Sequence, residues 1–136
     1  MSSNPYESSL ETRVLSATPL ELVTLLYDGA IEAVRAARGH LVNGDIWART
    51  RAITKAVNIL LELSSALDHR NGAEISSRLD PLYSYMRRTL LEANFQQTEE
   101  GLMTVEKLLV TVRESWSLIS SGAAVANPSA DRYWSA

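Results

Sequence analysis

Cysteine is absent from the 136 residues of this chain. That excludes disulfides, thiolate metal sites and cysteine nucleophiles, and it suits a reducing compartment. Histidine is nearly as scarce, with only His40 and His69. Each falls at the end of an expected helix, and neither has a Glu or His at metal-ligand spacing on its face, so the inward Glu-x-x-His pairs of di-iron bundles are missing. Six glycines and four prolines are too few for the turns of an all-β chain. Positive charge is not in excess: 13 Lys and Arg face 16 Asp and Glu, a net charge of −3, which gives no basic field for nucleic acid. No apolar run approaches a membrane span, and the opening MSSNPYESSLETRV lacks the basic and apolar regions of a secretory leader. Phosphate-binding loops, nucleophile elbows and a Ser-His-Asp order are also missing. No enzyme, cofactor or metal is expected.

What remains is a helical composition. Hydrophobic residues make up 46% of the chain and charged residues 21%, a globular balance for a single domain. The stretch SATPLELVTLLYDGAIEAV, 16–34, shows how the first helix starts. Thr18 caps the free backbone N–H groups, Pro19 takes the first helical position, and Glu21 completes a capping box. The spacing of Leu22, Leu26, Ala30, Val34, Ala37 and Leu41 predicts a helix to about Val42, stopped by Asn43-Gly44. Asp45 caps a second helix, 46–69, with Ile46, Ile53, Ala56, Val57, Leu60, Ser64 and Leu67 as its core stripe and Asn71-Gly72 as its stop.

A third helix, 73–97, carries Leu82, Met86, Leu90 and Ala93, flanked by Tyr83. Pro81 lies inside it, so the helix either kinks there or ends at Leu79 and restarts from an Asp80 cap. Thr98 caps a fourth, with Glu99 and Glu100 at its positive end and Val105, Leu108, Leu109, Val112, Trp116 and Ile119 inward. Four helices with short connections predict an all-α, antiparallel up-down four-helix bundle over 18–121. Residues 1–17 read as a mobile N-terminal segment and 122–136 as a loose tail.

The second and third helices have more apolar surface than one stripe needs. Ala48, Ala52, Ile59, Leu63 and Ala66 widen the arc of the second, opposite a polar edge that includes Lys55, Asn58 and Glu62; Leu91 and Phe95 lie far round from the stripe of the third. These flanks either meet other helices of the bundle or form a groove for a partner's amphipathic helix. Two further readings are a phosphotransfer or scaffold bundle that uses His69, and a self-associating structural bundle.

Asn4-Pro5-Tyr6, SATPLELVTLLYDGAI, ITKAVNILLEL, LYSYMRRTLLEAN and VEKLLVTVRESW follow one another over nearly the whole chain. Together they resemble the flagellar secretion chaperone family FliS. The resemblance implies an antiparallel four-helix bundle and a cytoplasmic export chaperone for flagellin. Such a chaperone holds the disordered C-terminal segment of flagellin, blocks premature polymerisation and presents the client to the flagellar export gate. No membrane insertion is expected, and the chain is expected to be a monomer or weak dimer. Carried onto this sequence, it makes Ile59, Leu63 and Ala66 apolar client contacts, and Lys55 and Asn58 polar ones. Leu91 and Phe95 are added from the third helix, and Tyr6 from an N-terminal segment that yields to the client. The chain departs from the family pattern at Leu10, where a second tyrosine often stands, at Val57, where many members have glutamine, and at Pro81.

Overall fold

The structure, a computed structural model, describes the backbone of residues 18–120 and the side chains of 18–66 and 77–118. All three elements in that range are helices. The first, α1, runs Pro19–Asn43, and its capping box forms as the sequence requires: Glu21 N–H donates to Thr18 Oγ1 at 3.2 Å and Thr18 N–H to Glu21 Oε1 at 3.1 Å. Gly44 ends it in the left-handed region, at φ 73°. Asp45 then caps α2 by accepting from Ala48 N–H at 3.0 Å.

Helical backbone in α2 runs Ile46–Gln96, 51 residues. A straight helix would hold Arg49 and Asn94, 45 residues apart, roughly 68 Å from one another. Arg49 Nε instead donates to Asn94 Oδ1 at 2.7 Å, and Asn94 Nδ2 to Thr50 Oγ1 at 3.4 Å. So α2 doubles back between 66 and 77, and its two arms, 46–66 and 77–96, lie antiparallel. The midpoint of the Arg49–Asn94 pair falls at 71–72, where Asn71-Gly72 stands. The expected reversal is therefore present, but without the expected break in helical backbone. Asn-Gly permits a left-handed stop and does not compel one.

Pro81 is likewise carried inside α2. It is exposed and lies near the start of the second arm, and Asp80 does not act as a cap there. The turn into α3 (Glu99–Ser120) passes through Gln97, a non-glycine residue at φ 58°, whose N–H donates to Ala93 O.

Contacts fix the order of the four segments around the core. Gly29 of α1 meets the first arm so closely that a Cβ there would lie 3.3 Å from Ile59 Cδ1. At Gly101 of α3 a Cβ would lie 3.1 Å from Ala93 Cβ of the second arm. The two arms meet at Asn94, and α1 meets α3 through Asp28–Arg113 at 2.8 Å and Arg35–Glu106 at 2.9 Å. In each of these ion pairs the two residue numbers sum to 141, as antiparallel helices require. The result is a closed up-down bundle.

The core consists of Val23, Tyr27, Ala30, Ile31, Ala33, Val34 and Ala37 of α1 with Ile53, Ala56, Leu60, Leu63, Tyr83, Met86, Leu90 and Ala93 of α2 and Leu102, Val105, Leu109 and Trp116 of α3. It is rotated from the expected stripe at the start of α1: Val23 and Tyr27 are buried, and Leu22 and Leu26 are half-buried. Tyrosine's larger ring takes the central place. Tyr27 and Tyr83 hydrogen-bond hydroxyl to hydroxyl across the diagonal of the bundle. Burial raises the pKa of both phenols, and for Tyr83 the neighbouring Tyr27 adds to the effect.

Replacing one partner leaves a buried hydroxyl unsatisfied, whereas replacing both leaves none. Tyr27→Phe and Tyr83→Phe should each cost about 1–3 kcal/mol in urea unfolding. The double variant should cost clearly less than the sum of the two.

Candidate functional site

The surplus apolar residues of α2 do not all point the same way. Leu63 is 0% exposed and belongs to the core, so its expected role as a client contact is corrected to packing. It sits three residues after Leu60, on the inward side of the first arm. Ile59 is half-buried against Gly29, and Ala66, seven residues on, shares that α1-facing side. Lys55, four residues before Ile59, is exposed on the same flank, and Asn58 is exposed on the outward face. Tyr6 lies outside the described residues, and the side chain of His69 is not among those described.

Leu91 and Phe95 are placed differently. Asn94 is bound to the first arm, so its neighbours border the seam between the arms. Leu91 is one turn before Asn94 and 53% exposed; Phe95 follows it and is 86% exposed. Across the seam, Trp47 stands one turn before Thr50 and is 77% exposed. Leu61, 49% exposed, lies just under four turns further along the face that holds Trp47. These four side chains form an apolar rim along the seam, widest at the end where the arms meet Arg49 and Asn94. The expected residues thus fall into two groups, one on each side of the outward face of the first arm.

Sequence reasoning missed Trp47 and Leu61. Their signal was present in the seven-residue spacing of Trp47, Thr54 and Leu61. It was hidden because the polar residues Arg51, Lys55, Asn58 and Glu62 surround that row.

The opposite face of the bundle, between α1 and α3, is charged. A groove of about 400 Å³ there is lined by Asp28, Glu32, Arg35, Arg113 and Glu114 around Val110. Arg38 bridges two acids, Glu106 at 2.8 Å and Glu99 at 3.1 Å. Partial burial pushes the Glu106 carboxyl up. The hydrogen bonds and charges of Arg35 and Arg38 outweigh that, and its pKa lies below the ordinary carboxylate range. Among the described residues no three His, Asp or Glu side chains come together to hold a metal ion, and no helix is long and apolar enough to cross a membrane.

The fold and this surface define a class: a helical bundle that closes its own core and leaves an apolar rim on the outside of one helical hairpin. Comparison with known proteins narrows it. Residues 2–123 match the family model described as "Flagellar protein FliS". The chain is 41% identical over 116 residues to the flagellar secretion chaperone FliS of Salmonella typhimurium, covering 85% of this chain and 86% of that relative. It is 38% identical to the flagellar secretion chaperone FliSB of Pseudomonas aeruginosa, covering 82% and 89%, and 33% identical to FliS of Bacillus subtilis, covering 83% and 84%. The chain belongs to the FliS family of flagellar secretion chaperones.

The depressed pKa of Glu106 has a consequence for acid stability. A carboxylate held below its unfolded value stabilises the fold fully above that value, and the contribution is lost as pH falls through the folded pKa. Unfolding free energy should fall on acidification below about pH 4.5. Glu106→Gln should make the fall shallower, as read by urea melts across that range.

Proposed function

We propose that this chain is a cytoplasmic export chaperone that binds the C-terminal segment of flagellin, prevents its premature polymerisation and delivers it to the flagellar type III export apparatus. The observation that carries the reading is the exposed rim of Trp47, Leu61, Leu91 and Phe95 along one seam of a bundle of this family. Two exposed aromatics alone present roughly 300 Å² of apolar surface. A patch of that kind marks a binding site on a soluble protein. The patch runs lengthwise along the seam between two antiparallel arms, which suits an amphipathic segment laid along it.

A segment that is disordered when free loses conformational entropy on binding, so it must bury a large apolar area for moderate affinity. Moderate affinity suits a client that has to be released. Asn58, on the outward face, supplies a polar contact beside the rim, and Lys55 one on the α1 side, where Ile59 and Ala66 contribute their exposed edges. Tyr6 is assigned to the same client through the N-terminal segment.

Calorimetric titration with the C-terminal segment of the same organism's flagellin tests this. The wild type should bind one to one with a negative heat-capacity change. Phe95→Asp and Trp47→Ala should each weaken binding about tenfold or more, since burying one large apolar side chain contributes about 1.5–3 kcal/mol. Both variants should keep the wild-type melting temperature within a few degrees, because both side chains are exposed. No binding by folded wild type would overturn the proposal.

A further inference from the structure

Asp80, Arg87 and Asn94 are spaced seven residues apart on the second arm and therefore share one face. Asn94 shows where that face points, because it bonds Arg49 and Thr50 across the seam. The register set by Asn94 and Thr50 puts Arg87 level with Ala56 and Val57, and Asp80 level with Leu63 and Ser64. Neither side chain at the first of these levels can accept a hydrogen bond. Arg87 Nη1 is buried without a partner, and so is Asp80 Oδ1. The two cannot satisfy one another, since seven residues of helix separate them by about 10.5 Å. As residues, both are only half-buried, so each has a short path to the surface beside the apolar rim.

A buried polar group without a partner destabilises the free protein, and native structures keep few of them. We infer that Asp80 and Arg87 are polar contacts for the segment bound along the seam, which would supply an acceptor to Arg87 and a donor to Asp80 about 10 Å apart. This inference rests on the proposed function and adds two residues to it. The apolar rim binds any greasy segment; the two unsatisfied groups select one with polar atoms at that spacing. Their cost to the free bundle is relieved when the client lies on the seam.

The role predicts an opposition between stability and binding. Arg87→Met keeps the length and removes the unsatisfied Nη1. The free variant should melt at or above the wild-type temperature, and should bind the flagellin C-terminal segment at least tenfold more weakly in calorimetry. Asp80→Ala should do the same at its own position, and keeps the test available if Arg87→Met fails to fold. Wild-type binding that neither variant weakens overturns this inference and leaves the proposed function standing. Loss of stability and binding together in both variants overturns it too, because that pattern marks a structural role. No binding by wild type overturns the proposed function and this inference with it.

Discussion

The bundle depends on one constraint: the second arm of α2 must lie back along the first. Arg49 and Asn94, 45 residues apart in the chain, hold that arrangement at the end of the seam. Without the reversal, Leu60 and Leu63 of one arm and Met86 and Leu90 of the other would have no shared core, and α1 and α3 would have nothing to close around. The same reversal places Leu91 and Phe95 on the same side of the molecule as Trp47. The packed core and the apolar rim are two consequences of one antiparallel pairing.

The faces of the bundle divide the work by chemistry. Between α1 and α3 the charges are matched internally, with Asp28, Glu99 and Glu106 each paired to an arginine. The more exposed of these pairs contribute little stability, but together they hold the register of α1 against α3. Inside, the Tyr27–Tyr83 hydroxyl pair does the same across the diagonal. The seam between the arms is the exception. It is apolar at the rim and carries polar groups beneath that the free bundle does not satisfy, a local inconsistency of the kind that native proteins keep at functional sites.

Local signals carried much of this fold. The Thr18 capping box, the Asp45 cap and the Gly44 stop are each set by two or three neighbouring residues, and all three form. The inward positions of Ala30, Val34, Leu60, Met86, Leu90, Val105 and Leu109 follow from helical spacing alone. What failed needed information from across the bundle. Leu63 continues the spacing of Ile53, Ala56 and Leu60, but the wide apolar arc of the arm left its side open until the neighbouring helices were in place. Leu22 and Leu26 are only half-buried, and Val23 takes the inward place beside Tyr27, whose packing against Tyr83, 56 residues away, sets the rotation of the helix. Gln97 takes a left-handed conformation without being glycine, which only the short link between two packed helices imposes. Of the candidate site, Leu91 and Phe95 were legible as apolar residues off the core stripe. Trp47 and Leu61 became visible only when the reversal of α2 brought their seam together.

Amide hydrogen exchange of the full chain, with and without the C-terminal segment of flagellin, tests the central claim most directly. The account predicts new protection concentrated on the two arms of α2, strongest around Trp47 and around Leu91–Phe95, with the α1–α3 face unchanged. Protection confined to the charged face between α1 and α3, with the arms unaffected, would contradict it.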